Sequence, residues 1–170
     1  MFKWLKVGAN ISGNYLHNNR IPGANLGSTI IGRAVQQRPF DRPYKPNGGY
    51  YTGGTDELLL HNAVQILSEE TSYTDNFRFI GSFWAEAQII KGLTVRASYN
   101  NDSAYTYDYI YYNQNHPYAA DKGRILDRNR FVMTNTIDLY ANYNRKIGED
   151  FELGAMVGHS FLKTRSRTSY

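Results

Sequence analysis

The chain has 170 residues, enough for one domain, and is rich in glycine and tyrosine, with 15 of each and 15% aromatic residues overall. The mean hydropathy of -0.57 and the lack of any run of about 18 apolar residues exclude a helical membrane protein, and the aromatic content is unlike that of a disordered chain. The net charge of +4 is scattered, its densest group being Lys163, Arg165 and Arg167; because no nucleic-acid-binding motif accompanies it, we expect no nucleic-acid partner.

The first predicted element is a β-strand from Trp4 to about His17. Its residues alternate between apolar and small polar types, Leu5, Val7, Ala9, Ile11 and Tyr15 against Lys6, Gly8, Asn10, Ser12 and Asn14. Strict period-two alternation indicates a strand with one apolar face. The small polar face is typical of the inner wall of a wet or plugged membrane barrel.

A long connection follows, from His17 to about Thr74. We predict that Ser28 caps a short helix carrying Ile30, Ile31, Ala34 and Val35 and ended by Pro39, and a second apolar cluster lies between Asp56 and Glu70. Prolines and glycine pairs mark irregular backbone between them. A loop of this length is usually functional or disordered.

The second and third strands form the best-defined unit. A strand from about Tyr73 to Ile89 has an aromatic and apolar face, with Ile80 and Trp84 as exceptions on its polar side. The Ile90-Lys91-Gly92 turn joins it to a third strand that starts at Leu93. Tyrosines continue the alternation at its far end, at Tyr105, Tyr107, Tyr109 and Tyr111.

Two further strands complete the pattern, from about Arg130 to Arg145 and from Phe151 to Phe161, joined by a short turn at Lys146–Asp150. Short and long connections therefore alternate, as in outer-membrane barrels with short periplasmic turns and long external loops. We predict an all-β fold: an antiparallel transmembrane β-barrel segment of about five up-and-down strands, with long extracellular loops containing short helices. About five strands cannot close such a barrel, so we expect a curved open sheet with two exposed edges.

Several strings resemble the SusC/RagA family of TonB-linked outer-membrane proteins, the TonB-dependent receptors. They are Trp4-Leu5-Lys6-Val7-Gly8-Ala9-Asn10-Ile11-Ser12, the stretch Ala34 to Pro43, Asn62-Ala63-Val64 leading into Leu67-Ser68-Glu69-Glu70-Thr71, Phe77-Arg78-Phe79-Ile80-Gly81-Ser82-Phe83, Ile90-Lys91-Gly92-Leu93 and Gly158-His159-Ser160-Phe161. The chain has Asn62-Ala63 where the family usually has Asn-Pro. The resemblance implies that residues 1–170 are part of one barrel domain, without the plug domain and the remaining strands.

The resemblance also implies a function. Family members import glycans or peptides across the outer membrane of Bacteroidota-type bacteria, under a SusD-like surface lipoprotein, with energy from the TonB complex acting on the plug. The expected partners are therefore outer-membrane lipid, such a lipoprotein, the TonB complex through the absent plug, and an oligosaccharide or peptide ligand. The expected location is the outer membrane, as a multi-pass barrel.

Eight residues are candidate ligand or plug contacts. Five lie on the predicted lumen face, Arg78, Trp84, Glu86, Arg96 and Asp138. Charged residues are general on that face, so a mutually paired, solvated wall is the favoured interpretation. Tyr107, Tyr109 and Tyr111 suit stacking against sugar rings, but an aromatic girdle or cross-strand packing explains them better.

The sequence predicts neither an enzyme nor a cofactor or metal site. Cysteine is absent, the four histidines have no metal-ligand spacing, and Gly158-His159-Ser160 lacks the closing glycine of a nucleophile elbow. The start of the chain lacks an export signal, which indicates either a cytosolic protein or one whose front end precedes this chain. The alternatives are a soluble, aromatic-rich β-sandwich that binds carbohydrate, whose apolar face needs a second sheet, and, more remotely, a β-rich hydrolase.

Overall fold

The computed structural model describes residues 4–21, 30–36, 40, 42–51, 62–119, 122–148 and 150–170. It contains five strands, β1 (Leu5–Asn19), β2 (Glu70–Ile90), β3 (Leu93–Tyr112), β4 (Arg124–Ile147) and β5 (Phe151–Ser169), and two helices, α1 (Ile30–Gln36) and α2 (Ala63–Glu69). The strands form one antiparallel sheet in the order β1-β2-β3-β4-β5. The open sheet with two edge strands is confirmed, and no second sheet faces it among the described residues, as a sandwich would require.

Three strands are longer than their sequence patterns predict. β2 begins at Glu70, β4 begins at Arg124, and β5 continues to Ser169. Strands pair through backbone hydrogen bonds, which do not require side chains to alternate between apolar and polar types. Backbone pairing therefore continues where the side-chain pattern stops.

Glycine forms the tight turn between β2 and β3. Gly92 has φ of 92°, a conformation that side chains disfavour, and a Cβ atom there would lie 2.5 Å from the carbonyl oxygen of Asn144. The same glycine carbonyl accepts a 2.8 Å hydrogen bond from the Asn144 backbone N–H. Any larger residue would both strain the turn and separate β3 from β4.

Even-numbered side chains share one face of the sheet, here called the polar face, and odd-numbered ones share the other, the apolar face. Contacts between even-numbered residues join each adjacent strand pair: Lys6 with Glu86, Ser82 with Asn100, Asn100 with Asp138, and Ser160 with Asp138. Alternation along each strand then places the predicted apolar residues together on the opposite face.

The chain divides into two compact units. The first comprises residues 1–15, 76–106 and 130–169, and the second comprises 16–75, 107–129 and Tyr170. The buried apolar side chains among the described residues, Ala63, Ile66 and Ala119, all belong to the second unit. No helix in the described part of the chain is long and apolar enough to cross a membrane.

The helices of the first long connection agree with the sequence patterns only in part. α1 contains Ile30, Ile31, Ala34 and Val35 as predicted, whereas Ser28, Pro39 and the Leu58-Leu59-Leu60 cluster lie outside the described residues. The second apolar cluster yields α2 only from Ala63 onward. Its cap is Asn62, one of the family-like positions, which is 1% exposed.

Candidate ligand-contacting wall

Trp84 is the centre of a cluster on the polar face of the first unit. The Arg96 guanidinium lies over its ring, with the carbon Cζ 4.4 Å from the ring centroid. Glu86 pairs with Arg96 at 3.7 Å and with Lys6 at 3.8 Å. The structure thus brings together three of the predicted candidates, Trp84, Glu86 and Arg96, and adds Lys6.

A glycine on the neighbouring strand makes room for the Trp84 ring. A Cβ atom at Gly8 would lie 2.5 Å from ring atoms of Trp84, which no real side chain tolerates. The indole therefore lies directly against the β1 backbone on one side and meets the Arg96 guanidinium as well. This contact gives the bulky ring on a polar face the partner that it needs.

Asp138 organises a second group of side chains on the polar face. Its carboxylate accepts hydrogen bonds from Ser160 Oγ at 2.6 Å, Ser98 Oγ at 3.3 Å and Asn100 Nδ2 at 3.3 Å. Donors on both neighbouring strands thus satisfy the Asp138 carboxylate with hydrogen bonds, as expected for a residue with a structural role. An open groove of about 720 Å³ on this face includes Asp138 and Arg96 in its lining.

Arg78 stands apart from both groups in a bidentate ion pair. Its Nε and Nη2 atoms donate to the two carboxylate oxygens of Asp102 at 2.9 and 2.6 Å. This fork-to-carboxylate geometry is the strong form of an arginine ion pair. Asp102 was not among the sequence candidates, although its even number on β3 places it on the same face as Arg96.

The three candidate tyrosines belong to the second unit. Tyr107, Tyr109 and Tyr111 are odd-numbered on β3, so strand alternation places them on the face opposite that of Asp108 in the same unit. In the second unit, Tyr73 lies against Tyr109 at 5.0 Å and Tyr107 at 6.2 Å between ring centroids, and its other neighbour is His17 at 5.4 Å. Tyr107 and Tyr109 thus pack across strands against Tyr73 of β2.

The polar face of the second unit has a pocket that the sequence patterns did not predict. Its volume is about 460 Å³, and Arg20, Asp108, Arg128 and Tyr170 line it. Arg20 donates to Asp108 at 3.4 Å, Thr74 Oγ1 donates to Asp108 at 2.6 Å, and Arg128 lies over the Tyr170 ring. Only the pairing register brings these residues together, because they lie far apart in sequence.

A buried pair of one carboxylate and one imidazole lies near α2 in the second unit. The Glu70 carboxylate is 3.6 Å from His116 Nε2, with side-chain exposures of 5% and 0%. Burial raises the pKa of Glu70 although Arg20 opposes the shift, and burial together with the Glu70 charge raises the pKa of the Tyr112 hydroxyl. At the exposed His17, the hydrogen bond to Asp75 raises the pKa of the imidazole.

The chemistry of the polar face is that of a binding wall. It presents guanidinium and carboxylate groups of both signs, amides, hydroxyls and one indole. No group of three or more His, Asp or Glu side chains among the described residues is placed to hold a metal ion. Such a surface can donate and accept hydrogen bonds to a polar ligand or to another part of the same protein.

Comparison with known proteins gives the fold. No protein-family model matches the chain, and no curated protein matches it. Solved structures do match: the RagAB peptide transporter, with a TM-score of 0.72, and the RagAB peptide importer in its 'closed-closed' and 'open-open' states, with TM-scores of 0.71 and 0.70. Identity is 22% in each case, over 100% of this chain and 20% of the matched chain.

The chain therefore spans a fifth of the length of the structures that it matches. The predicted resemblance to RagA-type proteins is confirmed at the level of fold: the five-stranded sheet has the architecture of part of the RagAB structures.

Proposed function

We propose that the chain forms part of the barrel wall and outer loops of an outer-membrane, TonB-dependent importer of peptides or oligosaccharides. The observation that carries the proposal is a single sheet with one apolar and one charged face, in a fold shared with peptide importers. Such a sheet suits a boundary between lipid and a polar lumen.

The apolar face has the dimensions that a bilayer requires. On β5 the 11 residues from Phe151 to Phe161 carry apolar side chains at nearly every odd position, and about 9 to 11 tilted residues cross the hydrocarbon layer. On the neighbouring strands the same face becomes polar at Asn101 and Asn135, whose amides are hydrogen-bonded at 2.7 Å. This change from apolar to polar side chains is what we expect at the outer boundary of a lipid-facing band.

The polar face then lines the lumen. Arg78, Trp84, Glu86, Arg96 and Asp138 are proposed contacts for the plug or the ligand. The pairs Arg78–Asp102 and Glu86–Arg96 hold these side chains in defined positions, so that a ligand meets a preorganised wall. A peptide fits its charges of both signs, and an oligosaccharide fits its amides, hydroxyls and indole.

The remaining partners follow from this role. A plug domain that this chain does not contain receives energy from the TonB complex, and a SusD-like lipoprotein covers the outer mouth. The long connections, with α1 and α2, lie at the opposite strand ends from the Gly92 and Gly148 turns. In an importer that end faces outward, so these connections are available to the lipoprotein and the incoming ligand.

The lack of cysteine offers a direct test. Single cysteines at Val95 and Leu139 on the apolar face, and at Ser98 and Thr136 on the polar face as matched controls, are introduced into the complete protein in its native membrane. We expect a lipid-dissolved thiol reagent to label the first pair and a small water-soluble maleimide to label the second. Burial of Val95 and Leu139 against another protein layer, or recovery of the protein in the soluble fraction, contradicts the proposal.

Uptake measurements test transport itself. Cells carrying the complete protein should accumulate labelled peptides or oligosaccharides in a manner that depends on the membrane potential, and deletion of the TonB energy supply should abolish accumulation. Comparing the two ligand classes identifies the substrate. Accumulation of both at the level of a deletion strain contradicts an import role.

A further inference from the structure

Three basic residues form a ladder on the apolar face of β5. Lys163, Arg165 and Arg167 are odd-numbered and exposed, like Val157 and Phe161 before them. The intervening even-numbered side chains point to the polar face, where Ser160 donates to Asp138 and Thr164 lies 3.1 Å from Thr134. The strand alternation is therefore unbroken, and the three cations continue the row of lipid-facing positions.

The ladder begins where the apolar band ends. Lys163 is two residues beyond Phe161, which completes the 11 residues that fill the hydrocarbon layer. The contact of Thr134 with Thr164 sets the register of β4 on β5, and alternation places Asn135 opposite Lys163. Asn135 also bonds Asn101 and accepts a 2.8 Å hydrogen bond from the Tyr99 hydroxyl, so three neighbouring strands become polar along the same row.

Within the part of the chain that the structure describes, no carboxylate pairs with the ladder. Asn135, Met133 and Phe131 lie opposite the three cations on β4, and Asn101, Ser103 and Tyr105 follow on β3, none of them acidic. None of the ion pairs formed by the described residues involves Lys163, Arg165 or Arg167. The polar face at comparable positions differs, because Arg78 is paired there with Asp102.

Three cations in a row, about 6 to 7 Å apart as alternate residues of a strand, match the anionic groups of a lipid surface. Guanidinium forks and ammonium groups bind phosphate strongly. We propose that Lys163, Arg165 and Arg167 bind the phosphate groups of a phosphorylated glycolipid in the outer leaflet. The inference rests on the proposed function, which supplies the lipid-facing direction of this surface.

The test measures glycolipid retained by the complete protein. The double variant R165Q/R167Q is compared with R128Q/R130Q, which removes two charges from even-numbered positions of β4. The proteins are purified in mild detergent, titrated with lipid A, and the bound lipid is counted by native mass spectrometry. Parallel titrations use dephosphorylated lipid A and inorganic phosphate.

We expect R165Q/R167Q to lower the affinity for lipid A about 25-fold, which is about fivefold for each charge near a lipid surface. Adding K163Q should lower the affinity about fivefold more. R128Q/R130Q should retain wild-type affinity, and dephosphorylated lipid A should bind weakly to every form. Equal losses in the two double variants overturn the inference, as does unchanged binding in R165Q/R167Q. Displacement of bound lipid A by millimolar inorganic phosphate also overturns the inference, because this result would show a site for the free anion.

Failure of this inference can be distinguished from failure of the proposed function. If the cysteine labelling places Val95 and Leu139 in lipid while R165Q/R167Q binds lipid A normally, the importer wall stands and the glycolipid site is wrong. If the labelling itself fails, both are wrong.

Discussion

Gly8 and Trp84 show how a single residue on one strand permits a large side chain on the next. The indole fills the space that a side chain at position 8 would need, and Arg96 covers the ring at 4.4 Å. A small residue on the polar face of β1 therefore allows the neighbouring strand to carry a bulky ring that packs onto the backbone. The contact between Gly8 and Trp84 depends on the pairing register of β1 and β2, because the two residues are 76 positions apart in the sequence.

Replacing Gly8 with alanine should destabilise the sheet by about 1–3 kcal/mol, because the new methyl group collides with the indole. The same change at Gly13 on the same strand is the matched control, since a Cβ there meets nothing within 4 Å. Thermal unfolding of the complete protein measures both. Equal melting temperatures for the two variants would show that Trp84 moves aside without cost.

Glu70 makes the second unit sensitive to pH. Its pKa is raised by burial, so the folded state holds the proton more tightly than the unfolded chain does. The stabilising contribution of the protonated form is complete below the ordinary glutamate pKa and is lost as the pH rises through the raised value.

Glu70→Gln should therefore remove part of the loss of stability that the wild type shows as the pH rises above the ordinary glutamate pKa. Hydrogen exchange of the second-unit amides in 62–75 and 107–119, corrected for intrinsic rates at each pH, measures this loss of stability. Glu152→Gln, at an exposed position on β5, serves as the control. A pH profile in Glu70→Gln identical to that of the wild type would contradict the assignment.

At the scale of the element, α2 is held by its cap. Asn62 Oδ1 accepts from the backbone N–H groups of Val64 at 2.9 Å and Gln65 at 3.4 Å, while its Nδ2 donates to the carbonyls of Pro43 and Tyr51. One buried amide thus both starts a helix and ties it to the preceding loop. A seven-residue helix is too short to be stable without such tertiary contacts.

Asn62→Ala should cost about 2–4 kcal/mol locally, through loss of the cap and of two donors to buried carbonyls. Asn62→Asp keeps the capping oxygen but buries a carboxylate whose second oxygen faces the carbonyls of Pro43 and Tyr51, so its cost should equal or exceed that of Asn62→Ala. Limited proteolysis of the loop before α2 reports both effects. Equal protection of Asn62→Ala and the wild type would show that the loop does not depend on this residue.

At the scale of the whole molecule, an open five-stranded sheet leaves unpaired backbone groups along β1 and β5. These edges cost several kcal/mol for each group left unsatisfied in lipid, and in water they pair with other chains. Residues 1–170 alone should therefore aggregate, or associate through the edges in detergent. Size-exclusion chromatography of this chain beside the complete protein measures the difference, and a stable detergent-solubilised monomer would contradict it.

Period-two alternation by itself determined the number of strands, the turns at Gly92 and Gly148, the open sheet and the membership of each face. Those features depend on neighbours along the chain, which the sequence displays directly. The early start of β4 and the late end of β5 escaped prediction, because backbone pairing continues there without alternation of apolar and polar side chains. Only the tertiary structure decided that Gly8 accommodates Trp84, that Asp102 holds Arg78, and that Tyr107 and Tyr109 pack against Tyr73. Such contacts follow from the pairing register, which joins distant segments through backbone hydrogen bonds that carry no side-chain signature.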